Sequence, residues 1–183
     1  HDLQFLRRIN SLFRDEDNSF IDIFTDPRVA LVVLGGSTLK EWVNQHYLKN
    51  VGLPEVHIYD RDELKNGKYK YQDDKCAVNA RGDGSIGFLT TKREMENYLH
   101  IDAISEALQP VVGFNFTFHL SDDCDVETEI KTKLNGQGKI QRRSIKHWLN
   151  EDAANCMTIA RLKERNGYDE IKGWFNEITN RVV

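Results

Sequence analysis

Apolar residues recur along this chain with two different periods, and the switches between them predict its elements. Over residues 2–14, Leu3, Leu6, Ile9, Leu12 and Phe13 fall at helical spacing, the mark of an amphipathic helix. Arg28 to Leu34 (Arg-Val-Ala-Leu-Val-Val-Leu) is apolar almost throughout, between a Thr-Asp-Pro turn and Gly35-Gly36. Such a run fits a strand covered on both faces, as in parallel sheets. Leu39, Trp42, Val43 and Tyr47 return to helical spacing, with Ser37 or Thr38 able to cap that helix. Val56 to Tyr59 is a second short strand candidate. Strand, glycine turn, helix and strand make a βαβ unit, which implies a parallel sheet with a right-handed crossover.

Residues 64–90 read as turn-rich, with strands expected at Cys76–Asn79 and Ile86–Thr90. A short helix is expected from Ile101 to Leu108, ending near Pro110. The alternation of Phe114, Phe116 and Phe118 predicts a half-buried strand over Val111 to Leu120. The last third reads as helices over roughly 124–134, 141–150, 152–165 and 168–181, punctuated by Gly136, Gly138 and Gly167. The expected fold class is α/β, a mostly parallel sheet flanked by helices with a helical C-terminal part. Residues 1–27 form a helical lead-in, 28–120 the α/β core, and 121–183 the helical part of the same domain.

Composition narrows the class. With 183 residues the chain is long enough for one domain with a substantial core. It is 39% hydrophobic and 30% charged, and no apolar run approaches the roughly 20 residues of a membrane helix. No signal peptide is evident, and the first residue, His1 rather than Met, points to a piece of a longer or processed chain. Cys76, Cys124 and Cys156 are odd in number, far apart and outside any Cys-x-x-Cys pair. They read as reduced thiols of a cytoplasmic protein, not as a disulfide framework or a zinc site.

A net charge of −4 gives no whole-chain argument for nucleic acid. Its distribution says more. Residues 122–129 hold five acids and no base, whereas Lys131, Lys133, Lys139, Arg142, Arg143 and Lys146 follow with no acid among them. Such a stretch is either a phosphate-binding face or a solvated helix face.

The chemistry concentrates where the Val56–Tyr59 strand stops, at Asp60-Arg61-Asp62-Glu63. In an extended chain residues i and i+2 point to one side, so Asp60 and Asp62 would project together. Two carboxylates held close repel unless a proton or cation lies between them, and a hard cation such as Mg²⁺ or Mn²⁺ suits oxygen ligands. The plainer alternative is a polar turn. Glu94 and Glu96 repeat the spacing after the next strand. Gly35-Gly36 lacks the rest of a P-loop and reads as a tight turn.

In order, these residues resemble a known family. Strand, glycine turn, helix and a strand ending in Asp60-Arg61-Asp62-Glu63, then Lys92-Arg93-Glu94-Met95-Glu96-Asn97-Tyr98-Leu99-His100, is similar to the TOPRIM domain of OLD-type (overcoming lysogenisation defect) ATP-dependent nucleases. Met157-Thr158, Leu162 to Arg165 and Glu170 to Trp174 resemble the C-terminal helices of those proteins. The resemblance covers roughly residues 28–180. It implies a TOPRIM-like fold and a DNA endonuclease that hydrolyses phosphodiester bonds with two divalent cations. Asp60 and Asp62 match the family's metal-binding Asp-x-Asp, and Glu96 and Glu94 its later acidic ligands. Lys139, or Lys146, would supply a lysine that neutralises the phosphate, and Lys139, Arg142, Arg143 and Lys146 would contact nucleic acid. The resemblance further implies an N-terminal ATPase partner, a role in antiphage defence and a cytoplasmic location, and it admits a homo-oligomer.

One departure stands out. The family's first strand ends in Glu-Gly, and that Glu binds metal; here Leu34 occupies the place, and Thr38 the place of a second acid. Leucine cannot ligate a cation. Either the site is inactive, or it works with fewer protein ligands and more water, or Glu41 substitutes. Two hypotheses from different classes therefore stand: a Mg²⁺- or Mn²⁺-dependent nuclease, and a catalytically degenerate module that binds nucleic acid or protein.

Overall fold

The computed structural model describes residues 2–35, 37–134 and 142–182. The chain is α/β. Helix α1 (Asp2–Glu16) is followed by α2 (Ser37–Gln45), strand β1 (Val56–Tyr59), α3 (Gln72–Asn79) and strand β2 (Ile86–Leu89). A single 3-10 turn (Met95–Tyr98) leads into α4 (Ile101–Val112), α5 (Val126–Lys133) and α6 (Arg142–Trp148). A π-helical turn (Leu149–Ala153) then precedes α7 (Ile159–Glu164) and α8 (Tyr168–Val182).

Among the described residues the sheet has two strands, β1 and β2, paired in parallel with Val56 opposite Ile86 and Tyr59 opposite Leu89. The crossover between them contains α3. Alternation along the strands separates two cores. Ile58 and Phe88 face the main core, while Tyr59 and Leu89 face a smaller cluster of Leu39, Val43 and Val78 from α2 and α3. Helix α3 crosses β2 closely: a Cβ at Gly87 would meet the Lys75 Cα at 3.2 Å. The same Gly87 N–H donates to Asn79 Oδ1 at 2.6 Å, so an α3 side chain closes that edge of the sheet.

The main core joins the two ends of the chain. Phe5, Ile9 and Phe13 of α1 are buried with Tyr98, Ile104, Leu108, Ile130, Leu149, Trp174 and Phe175. The Phe5 ring lies 6.5 Å from Tyr98 and the Phe13 ring 5.6 Å from Phe175. The helix that opens the sequence is therefore a layer of the core, and burying several such rings at about 1.5–3 kcal/mol each holds it there.

Three expectations are corrected. Arg28–Leu34 is not a strand: among the described residues the backbone of 30–35 makes no backbone hydrogen bond. Val29 packs on the main core and Leu34 on the smaller cluster, so the run bridges the two, leaving Val33 71% exposed between them. Cys76–Asn79 is helical, because Asp73 and Asp74 open α3 with favourable charge and Val78 is its buried contact. Val111 to Leu120 is not a strand either. Helix α4 runs through Pro110 to Val112 and stops where Gly113, at φ +77°, donates to Gln109 O. Phe114 to Leu120 then continues without strand pairing.

Candidate functional site

The site forms where β1 ends. Asp60, one residue past the strand, turns toward the helical side of the sheet and is largely buried. Its carboxyl is pushed up to about 8, first by burial and then by the charges of Asp2, Glu96, Glu94 and Asp62. Its Oδ1 is shut off from solvent and has no hydrogen-bond partner.

Glu94 and Glu96 come from the turn that follows β2. Glu94 is extended and donates its N–H to Asn97 Oδ1 at 3.0 Å, which starts the 3-10 turn. Glu96 is 2% exposed, with Asn150 Nδ2 donating to its Oε1 at 2.9 Å and Lys146 Nζ at 3.7 Å from the same oxygen. Its Oε2 is buried without a partner. Burial, then the Glu96 charge, raises the Glu94 carboxyl. Burial alone would lower the Lys146 ammonium, but Glu96, Glu94, Asp2 and Asp60 outweigh it and raise it. The structure thus brings Asp60, Glu94, Glu96 and Lys146 together across three elements.

A rigid frame fixes the Glu-bearing turn. Tyr98 OH donates to Glu170 Oε2 at 2.6 Å, and Glu170 Oε1 accepts from Thr91 N at 2.8 Å. Lys92, 2% exposed, donates to Asp122 Oδ1 at 2.6 Å, and Arg165 Nη2 donates to the same oxygen at 2.9 Å and to Asn97 O at 2.7 Å. Asn97 Nδ2 donates to Ser121 O and Cys124 O, each at 3.0 Å. Charge-assisted bonds of this kind are stronger than neutral ones and hold the turn from both sides.

Asp62 departs from the expected pairing. It adopts φ +56° and donates its N–H to Arg93 O at 2.9 Å. The left-handed step breaks the i, i+2 alternation, so Asp62 turns to Lys70, whose Nζ donates to its Oδ2 at 3.1 Å. The expected four-carboxylate cage of Asp60, Asp62, Glu94 and Glu96 is therefore not formed: among the described residues no three carboxylate, imidazole or thiolate groups are close enough to hold a metal ion. The orphaned oxygens of Asp60 and Glu96 are those with which a cation would fit.

Lys139 lies outside the described residues, as do the side chains of Arg142 and Arg143. Of the rest of the basic stretch, Lys131 pairs with Glu127 at 3.6 Å along α5, and Lys146 is the one that reaches the carboxylates. Leu34 lies against the smaller apolar cluster. Glu41 is exposed and accepts from Tyr47 OH at 3.1 Å, so it does not stand in for the missing ligand.

Sequence reasoning missed Asp2, Lys92, Asn150 and the π-helical turn that carries Asn150, a feature often found at functional sites. It also missed a buried row on β1. His57 Nε2 lies 2.6 Å from Glu55 Oε2, and Tyr59 OH 2.7 Å from His57 Nδ1. Trp42 Nε1 donates to the same Glu55 oxygen at 2.9 Å, and Arg81 lies 3.2 Å away. Burial pushes the Glu55 carboxyl up, but bonds from Trp42, His57 and Arg81 outweigh it and hold it low; burial lowers the His57 ring. The alternation of polar residues at 55, 57 and 59 was the available signal. These groups border an otherwise apolar cavity of about 310 Å³ on the face opposite Asp60. They satisfy one another, and the strained carboxylates at the end of β1 are the better candidates for chemistry.

No helix of the described residues is long and apolar enough to cross a membrane. No protein-family model matches this chain, and neither a curated protein nor a solved structure shows significant similarity to it.

Proposed function

We propose that this chain is a divalent-cation-dependent DNA nuclease domain of the TOPRIM kind, of the sort joined to an ATPase in OLD-type antiphage nucleases. One observation carries the reading. Two carboxylates from different strands' ends, Asp60 and Glu96, are buried with one orphaned oxygen each, beside Glu94 and Lys146. Buried oxygens of this kind cost about 1–3 kcal/mol apiece unless a proton or cation meets them. The ordered residues Asp60-x-Asp62 and Glu94-x-Glu96-Asn97-Tyr98 supply the family likeness.

Asp60, Glu96 and Glu94 are the residues to hold Mg²⁺ or Mn²⁺, with Asp62 joining when Lys70 releases it. The cation, when bound, supplies an activated water and stabilises charge on the phosphate. Lys146 faces the same carboxylates and is raised rather than lowered by its surroundings, so it stays charged and can neutralise a phosphate oxygen. Asn150 fixes one Glu96 oxygen and leaves the other free. A cytoplasmic location, an N-terminal ATPase domain and an assembly of like subunits follow from the same reading.

The test is nicking of supercoiled plasmid with and without Mn²⁺, by the chain and by its Asp60→Asn form. Removing one preorganised electrostatic contact typically costs 10²–10³-fold in rate, so cleavage should require Mn²⁺ and fall by about that much in the variant. Equal cleavage by both proteins, or none by either, overturns the reading. Leu34 in an apolar cluster, and the absence of a preformed three-ligand cage among the described residues, favour the second reading, a degenerate module that binds nucleic acid or protein without cutting. Under it the chain would bind no Mn²⁺.

A further inference from the structure

We infer that Asp2, on the first turn of α1, supplies the site's additional acidic ligand in place of the carboxylate missing at position 34. The inference rests on the proposed metal centre and goes beyond it by naming a residue from the opposite side of the fold.

The geometry starts with what anchors α1. Phe5 is fully buried, its ring 6.5 Å from that of Tyr98, and Tyr98 closes the 3-10 turn that carries Glu96. Arg8 Nη2 donates to Met157 O at 3.1 Å. Helix α1 also packs against the π-helical turn, whose Asn150 holds Glu96. These contacts fix the start of α1 beside the Glu96 end of the site. Of the charges acting on the Asp60 carboxyl, that of Asp2 is the strongest, ahead of Glu96, Glu94 and Asp62. The Asp2 charge also acts on Lys146, ahead of that of Asp60.

A carboxylate on a first helical turn is favourable to the helix dipole by itself, and an acidic cluster alone does not make a site. The independent observation is Glu96, 2% exposed and with Oε2 lacking any hydrogen-bond partner. That oxygen is a vacancy in the hydrogen bonding of a buried anion, and further negative charge around it makes the need for a cation greater. Asp2 adds such charge from a side chain that is itself exposed and free to move. Leu34, by contrast, faces the other layer of the sheet with Tyr59, so restoring the family pattern by that route is closed and a ligand has to come from elsewhere.

The experiment is Mn²⁺ titration by calorimetry of the chain as it stands, alongside Asp2→Asn, Asp2→Glu and, as a control on the same helix, Asp15→Asn. Asp2→Asn should weaken Mn²⁺ binding about tenfold or more, Asp2→Glu should keep most of it, and Asp15→Asn should change nothing. Thermal unfolding separates a ligand from a structural residue. Without metal, Asp2→Asn relieves repulsion and should leave the melting temperature unchanged or higher. With saturating Mn²⁺ it should gain less than the wild type does. Wild-type affinity in Asp2→Asn overturns this inference and leaves the metal centre standing, as does a variant destabilised equally with and without Mn²⁺. Absence of Mn²⁺ binding by the wild type overturns both.

Discussion

Replacing Asp60 with asparagine should stabilise the metal-free protein, and more so as pH rises. Asp60 titrates at about 8 in the folded chain against an ordinary 3.8, because it is buried and then because Asp2, Glu96, Glu94 and Asp62 surround it. An acid whose folded pKa is raised holds its proton more tightly in the folded than in the unfolded state. Below about pH 4 both states are protonated and the group costs nothing. As pH climbs from there the unfolded state gains by ionising, and the loss of stability is complete above about pH 8. At 1.36 kcal/mol per pKa unit the ceiling is about 5 kcal/mol. Water reaching a carboxyl that is not fully enclosed, and relaxation of its neighbours, reduce the expected value to about 2–3 kcal/mol. Asp60→Asn keeps the shape and cannot ionise. The assay is urea unfolding of both proteins in a chelator at several pH values between about 5 and 8. Taking the difference at each pH cancels every group the two share. The variant should gain about 2–3 kcal/mol on the wild type across that range. A difference that stays flat refutes the burial and crowding assigned to Asp60.

Leu34→Glu should lower stability by about 1–3 kcal/mol in urea, since it puts a carboxylate against Leu39, Val43 and Tyr59; it should leave Mn²⁺ affinity unchanged, and tighter binding would show that position 34 belongs to the metal site after all. Gly167→Ala would bring a Cβ within 2.7 Å of Tyr98 Cδ1 and 3.1 Å of Leu162 Cδ1. It should cost about 1–3 kcal/mol in thermal unfolding, and a neutral result would mean that the frame around Tyr98 yields more easily than its bonds to Glu170 suggest.

Local pattern carried the helices and both strands that formed. The apolar spacing of α1 and α8, the 56–59 and 86–89 runs and the helical last third all correspond to observed elements. The failures have separate causes. Val29–Leu34 has the composition of a strand, but composition does not provide a pairing partner, and the run instead ties Val29 to one core and Leu34 to the other. At Cys76–Asn79 the β-leaning residues were weighed without the acids before them, although Asp73 and Asp74 are a helix-start signal. Pro110 did not end α4 because it and Glu106 are exposed. Water can take the Glu106 carbonyl that the proline leaves without an N–H.

The site divides along the same line. Asp60, Glu94, Glu96 and Lys146 were legible because strand ends and local acidic spacing point to them. Their mutual arrangement was not, because it depends on backbone steps and partners far away in the chain. A left-handed residue at Asp62 undoes the alternation that would have paired it with Asp60 and gives it to Lys70. Lys92 and Arg165 meet at Asp122, a contact no spacing rule relates to Glu96, yet it fixes the turn on which Glu96 rides. The strongest charge acting on Asp60 comes from Asp2, 58 positions earlier, on a helix whose apolar stripe announced a core role and nothing else. A helix buries one face for stability, and its end is thereby carried to wherever that face docks. Phe5 and Ile9 determine where Asp2 stands, so the acid at the site is positioned by hydrophobic residues that never touch it.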